Sequence, residues 1–397
     1  MCIRDSIRSI SNNVGRHVAI MMDVKGPEIR TAFLEGGINL NVDDHLDLVT
    51  TAHTVDSEAE KNGIPRVGVN YPGLPQDLQI GDTVLVDSGL IQLKVLDKTD
   101  TSVRCQVLIP GRLGSRRHIN LPGIKVNLPS LTEKDNADIA IGVAKGVDFF
   151  ALSFAREAKD LQTLRNALDT LGSNARIIAK IEDQSALRNL DAIVAQADAV
   201  MVARGDLGIE IDYHQLPIVQ RRIVDACHRE GTPVIIATHL LESMVDSPMP
   251  TRAEISDISN AVKEQADCVM LSAETTMGKY PEKCVEVLRN IIASMEEAAP
   301  PHSPLNKLIA LKTPKAKMMR SAAVLAQELD GAAIVVFTRS GFLAFILAAL
   351  RARGVPIYAF TDVEETFRHL LILWGVEPFL MDFSDDPETT IKNAFAY

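Results

Sequence analysis

The run Ile177-Ile178-Ala179-Lys180-Ile181-Glu182 puts an ammonium and a carboxylate two positions apart. In an extended strand alternate side chains leave the same face, so Lys180 and Glu182 would stand side by side at a strand end. Such a pair can neutralise a phosphoryl group and hold the metal that accompanies it; it can equally be a plain ion pair closing a strand. A second acidic group lies in Val202-Ala203-Arg204-Gly205-Asp206-Leu207-Gly208. Its two glycines suit a tight strand-to-helix turn whose backbone N–H groups could receive an anion. Glu182 and Asp206 together supply the one or two carboxylates that magnesium takes alongside substrate oxygens and water. An aspartate that only caps the following helix is the simpler alternative.

These groups need strands that end together. Between about residues 130 and 300, short apolar runs (Val147–Phe154, Arg176–Ile181, Ala199–Val202, Pro233–Ala237, Cys268–Leu271) alternate with helical patterns. Leu161, Leu164, Leu168 and Leu171 share one helical face before Gly172; Leu216, Val219, Ile223 and Cys227 do the same before Gly231. Continuous apolar strands between amphipathic helices predict a parallel sheet covered by helices. Lys180 to Glu182, Arg204 to Asp206 and Thr238 all fall just after its strands, the catalytic end of a (β/α)8 barrel. Residues 31–128 are instead β-rich and punctuated by Gly-Gly, Pro-Gly, Gly-Asp and Ser-Gly turns, with Val84–Val86 and Leu90–Val95 reading as a hairpin. The strand candidate His17–Asp23 precedes this zone, so the β domain is expected to be inserted after it, as a cap over the barrel mouth. After a Pro-rich linker at residues 298–304, Ala332–Phe337, Pro356–Phe360 and Glu377–Met381 predict a second α/β sheet. The expected domains are residues 14–30 with 129–300, residues 31–128, and residues 305–397.

A chain of 397 residues has room for two or three domains, and 46% hydrophobic with 23% charged residues is the balance of a soluble globular protein. The net charge of −11 argues against nucleic acid or an anionic membrane as the main partner. Five cysteines without a C-x-x-C pair fit reduced thiols in a cytoplasm. The apolar stretch Phe342 to Leu350 is too short to cross a bilayer, and the opening Met-Cys-Ile-Arg-Asp-Ser lacks the apolar region of a signal peptide.

Several ordered motifs resemble the pyruvate kinase family: Asp23–Thr31 (DVKGPEIRT), Asn120–Asp135 (NLPGIKVNLPSLTEKD), Met201–Ile211 (MVARGDLGIEI), Pro233–Met244 (PVIIATHLLESM), Pro250–Glu254 (PTRAE) and Asp267–Pro281 (DCVMLSAETTMGKYP). The resemblance runs from about residue 16 to 300 and more loosely to the end. It implies a (β/α)8 barrel with an inserted β-barrel cap and a C-terminal α/β regulatory domain, transferring a phosphoryl group from phosphoenolpyruvate to ADP in glycolysis. By that resemblance Lys180 stabilises the phosphoryl group, and Glu182 and Asp206 hold Mg2+ (or Mn2+). Gly205 and Asp206 present backbone to the substrate carboxylate, and Thr238 closes that pocket near the carbon that is protonated. Arg30 approaches the phosphate, Asp23 holds K+, Glu28 accompanies potassium dependence and Arg117 meets the nucleotide. Thr338, Arg339 and Ser340 match a turn that binds an effector's phosphate, and a complete chain would form a homotetramer.

The sequence departs from the family at Val24, where a threonine is common, at His239 for glutamine, at Ala273 for glycine, and at Phe342 and Ala344 for polar residues. Only six barrel strands can be counted where closure needs eight. The expectation is therefore a barrel lacking its first two strands and a regulatory domain lacking its last ones. The competing expectations are another phosphoenolpyruvate- or pyruvate-using barrel enzyme, and a non-catalytic fragment or relative that binds a partner or a small phosphorylated ligand.

Overall fold

A computed structural model describes residues 3–50, 63–298 and 305–396. The expected linker and Tyr397 lie outside the described residues, apart from Ala298. Six strands form one parallel sheet in sequential order: β1 (Met21–Val24), β2 (Phe149–Leu152), β3 (Arg176–Ile181), β4 (Ala199–Ala203), β5 (Val234–Ala237) and β6 (Cys268–Met270). These are the six anticipated strands, and β1 and β6 are its edges among the described residues. A helix at Ile3–Val14 was not anticipated.

Strand alternation divides the sheet's side chains between two cores. Phe150, Leu152, Ile177, Ala179, Ile181, Val200, Val202, Val234 and Ile236 face the helices, where Leu161, Leu164, Leu168, Ile223 and Cys227 meet them. Phe149, Ala151, Ile178, Ala199, Met201, Ile235 and Ala237 form a smaller cluster on the opposite face. Lys180 and Glu182 continue that second face beyond Ile178. The helices Ala158–Thr170 and Leu216–Glu230 end as their glycines require, with Gly172 at φ +67° and Gly231 at φ +77°.

One bonding pattern recurs three times at the N-terminal edge of the sheet. Asp148, Asp198 and Asp267 each stand one residue before an even-numbered strand. Each donates its own N–H to a carbonyl of the strand before it, or for Asp148 to that of Ile20 just ahead of β1, and its carboxylate accepts an N–H from the same residue in return. The accepted donors are Ile20 N at 2.7 Å, Ile177 N at 2.8 Å and Val234 N at 2.9 Å. Arginines complete each carboxylate: Arg8 and Arg368 on Asp148, Arg165 and Arg176 on Asp198, and Arg351 on Asp267.

The cap has its own core, with Leu46, Leu48, Val84, Leu93, Val95, Val103 and Val107 fully buried. Its main sheet runs, in order, Arg66–Gly68, His45–Val49, Ser102–Ile109, Ile91–Lys98, Thr83–Val86 and Ile119–Asn120. The expected hairpin is present between Thr83–Val86 and Ile91–Lys98. The C-terminal unit holds three parallel strands, β7 (Ile334–Phe337), β8 (Ile357–Thr361) and β9 (Val376–Leu380). It docks under the large sheet through two of the aspartates, since Arg351 and Arg368 both belong to it. The Arg351–Asp267 pair is the more deeply buried, at 3% and 2% side-chain exposure, with the guanidinium over the Trp374 ring.

Removing one partner of a buried pair strands the other charge at a cost of about 3–5 kcal/mol, whereas a half-exposed hydrogen-bonded carboxylate is worth about 1–3 kcal/mol. Asp267→Ala is therefore expected to lower the urea midpoint more than Asp198→Ala, whose carboxylate is 21% exposed. Equal midpoints in urea denaturation would refute the ranking.

Candidate active site

At the C-terminal end of the sheet the Lys180 ammonium has three acceptors: Asp23 Oδ1 at 2.9 Å, Glu182 Oε1 at 2.9 Å and Ser153 Oγ at 2.7 Å. Its three protons are thus fully used. The acceptors differ in exposure. Glu182 is 1% exposed and its other oxygen takes the Phe154 N–H at 2.7 Å, while the Asp23 carboxylate is 59% exposed. The Phe154 amide reaches Glu182 with its backbone in the left-handed region, at φ +51°. Burial pulls the Lys180 ammonium down, but Glu182 and Asp23 outweigh it and leave its pKa above the ordinary lysine value. Burial, and the nearby Asp206 charge, push the Glu182 carboxyl up to about 7 against the pull of Lys180.

Asp206 lies in the first turn of the short helix Arg204–Glu210, which follows β4 without a loop. It caps nothing, and its carboxylate takes no hydrogen bond from any described residue. Gly205 N donates to Thr238 Oγ1 at 2.8 Å, so the two predicted pocket residues are bonded to each other. Thr238 and His239 both sit in the left-handed region, at φ +68° and +55°. For a β-branched residue this is an outlier that the surroundings must hold. The buried Arg204 does so. Its guanidinium donates to the carbonyl oxygen of Thr238 at 2.5 Å and is itself gripped by both oxygens of Asp257, at 2.8 and 2.6 Å. His239 is exposed.

Arg30 leaves β1 toward the cap, bonds Glu28 at 2.6 Å and donates to the Arg116 carbonyl at 2.8 Å. Arg117 turns into the cap, where its guanidinium meets Asp87 at 3.2 Å. In the C-terminal unit Thr338 Oγ1 accepts from Gly341 N at 2.9 Å, and Arg339 pairs with Asp362 at 2.8 Å. The structure therefore gathers Lys180, Glu182 and Asp23 into one cluster and joins Gly205 to Thr238. Arg117 and the Thr338–Ser340 turn belong to other units.

Sequence reasoning missed Ser153, the Phe154 amide and the Arg204–Asp257 clamp. The first two follow the β2 run directly, so the strand-end rule that singled out Lys180 could have found them. It also missed Glu210, whose carboxylate accepts from Asn120 of the cap at 3.3 Å.

Residues 2–285 match the family described as pyruvate kinase, barrel domain, and residues 316–397 match pyruvate kinase, alpha/beta domain. The chain belongs to the pyruvate kinase family. It is 40% identical over 380 residues to plastidial pyruvate kinase 2 of Arabidopsis thaliana, covering 96% of this chain and 64% of that one. A pyruvate kinase of Staphylococcus aureus (strain MRSA252) is 38% identical over 400 residues, covering 99% and 66%. A crystal structure of a pyruvate kinase from Cryptosporidium parvum superposes with a TM-score of 0.90 at 33% identity, covering 99% of this chain and 81% of that one. The chain thus spans about two thirds of the length of these curated pyruvate kinases. No helix among the described residues is long and apolar enough to cross a membrane.

Burial, with Asp183 and Asp206 nearby, pushes the Glu210 carboxyl up to about 7 from its ordinary 4.5. The folded chain then holds more protons than the unfolded one between those values, so this group's contribution falls as pH rises from 4.5 to 7. Glu210→Gln is expected to melt several degrees above the parent at pH 8 without divalent ions, with the gain vanishing near pH 4.5. Thermal melts across that range check the sign; a gain independent of pH would contradict it.

Proposed function

We propose that this chain carries the pyruvate kinase reaction of glycolysis, moving the phosphoryl group of phosphoenolpyruvate to ADP to give pyruvate and ATP. The observation that carries the reading is the saturated Lys180 ammonium, held between a buried and an exposed carboxylate at the open end of a parallel sheet. Phosphoryl transfer needs in-line positioning and charge neutralisation more than a covalent nucleophile. The arriving phosphoryl group has to displace one acceptor of Lys180, and the exposed Asp23 is the one that can yield. Glu182 cannot, because the Phe154 amide and its own burial hold it. Asp23, once released, is free to serve a potassium ion together with the Val24 carbonyl.

Glu182 and Asp206 suit a magnesium (or manganese) ion. Both offer hard oxygen donors, their like negative charges repel each other, and Asp206 is uncommitted. No group of three or more candidate ligands exists among the described residues. Magnesium takes one or two carboxylates and fills its remaining positions with substrate oxygens and water. Such an ion would supply Lewis-acid stabilisation of charge on the substrate. Thr238, fixed by Arg204, borders the carbon to be protonated, and the Gly205–Asp206 backbone faces the substrate carboxylate. Gly205 N–H must exchange its Thr238 partner to do so. Arg30 reaches the phosphate if it loosens from Glu28. Arg117 serves the nucleotide, and Thr338, Arg339 and Ser340 receive a phosphorylated effector if Arg339 leaves Asp362. Assembly as a homotetramer when the chain is complete, and a cytoplasmic location, round off the reading; burial pushes the Cys105 and Cys268 thiols up to about 12, as inert reduced cysteines require.

The charge of Lys180 is most useful in the transition state, so Lys180→Met should cut kcat by about 10²-fold or more while KM for phosphoenolpyruvate moves far less. A coupled assay for ADP-dependent pyruvate release, with magnesium and potassium present, provides the measurement. Lys180→Met retaining near-full rate would remove the assignment. A parent chain without turnover under those conditions would remove the enzymatic reading.

A further inference from the structure

The cap contributes a side chain to this site that none of the roles above uses. His118 lies on the return strand of the cap, where its backbone is fixed on both sides: it forms a bridge with Arg30, and its carbonyl accepts from Asp87 N at 3.0 Å. The next residue, Ile119, is 2% exposed and points into the cap core. By strand alternation the His118 imidazole is sent the other way, toward the barrel. There its ring lies 6.0 Å from the Phe154 ring, at an interplanar angle of 55°. Phe154 is the residue whose amide holds Glu182. The charged groups around the imidazole are Glu28, Arg30 and Lys25 from the segment leaving β1, and Asp206 from the turn after β4. Among the described residues the ring nitrogens have no hydrogen-bond partner, although the side chain is half-buried.

We infer that His118 is a substrate contact carried by the cap, its imidazole donating a hydrogen bond to an oxygen of the phosphorylated substrate held at Lys180. The inference rests on the phosphoenolpyruvate reading above. A half-buried imidazole with an unused N–H, near Asp206 and against the residue whose amide holds Glu182, is placed for an acceptor that the protein itself does not provide. Burial holds its pKa below the ordinary histidine value. A phosphate dianion brings negative charge to the ring and raises its affinity for a proton, so substrate binding near pH 7 should draw in a proton. The purely structural role, packing against Phe154, requires only the ring and predicts neither effect.

The test is calorimetric titration of the full chain with phosphoenolpyruvate and magnesium near pH 7, in two buffers of different ionisation heat. His118→Phe keeps an aromatic ring against Phe154, and His118→Gln keeps a donor. Loss of a charge-assisted hydrogen bond should weaken binding about tenfold in His118→Phe and less in His118→Gln. Proton uptake should be smaller in both variants than in the parent, by the share that His118 takes. Thermal melts identify a variant that fails to fold, and the other then decides through its proton uptake. If His118→Phe binds as the parent does, with the same proton uptake, the contact does not exist while the substrate reading stands. If the parent itself fails to bind phosphoenolpyruvate, both fall.

Discussion

A carboxylate removed from water must be compensated, and the compensation of Glu182 organises the mouth of the sheet. One of its oxygens takes the Lys180 ammonium and the other takes the Phe154 amide. The first contact forces Lys180 onto the same face two residues earlier, which only an extended strand allows. The second draws the chain after β2 into a left-handed turn and sets the Phe154 ring against the cap. Ser153 and Asp23 then satisfy the remaining protons of the ammonium. A one-residue slip of β3 against its neighbours would send both charges into the helix-facing core, so the site exists only in this register.

Three of the nine non-glycine residues with positive φ among the described residues lie at this end of the molecule. Phe154, Thr238 and His239 all occupy a region that costs non-glycine residues about 1–2 kcal/mol each. Each strained turn is held by a buried charged group acting through the backbone: Glu182 on the Phe154 amide, Arg204 on the Thr238 carbonyl. The arrangement aims two side chains, an aromatic ring and a hydroxyl, at positions an ordinary strand exit would not reach.

Much of this is legible in the amino-acid sequence. The six strands follow from continuous apolar runs, because a strand covered on both faces has no reason to alternate. The pairing of Lys180 with Glu182 follows from period two. The inserted cap and second α/β sheet follow from shifts in turn density and strand spacing. What stayed hidden depends on contacts distant along the chain. Arg204 and Asp257 are 53 residues apart, and Lys180 and Asp23 are 157 apart. No local pattern announces that Arg117 folds back on Asp87, that Arg339 is occupied by Asp362, or that Gly205 is bonded to Thr238. The Ile3–Val14 helix was legible but unread: Ile3, Ile7, Ile10 and Val14 recur at helical spacing in an otherwise polar segment.

The three aspartates before β2, β4 and β6 have an outcome of another kind. They lock the strands in pairs at the end of the sheet farthest from Lys180, and two of them also bind the C-terminal unit. Alignment of the scaffold is thereby separated from the loops that face the ligand. Residues at the mouth can be exchanged over generations without loosening the strands that present them, while substitutions at the floor are punished whatever the loops do. Natural variation in such a molecule should accumulate unevenly, sparing these three carboxylates and their arginines even in descendants whose chemistry has drifted.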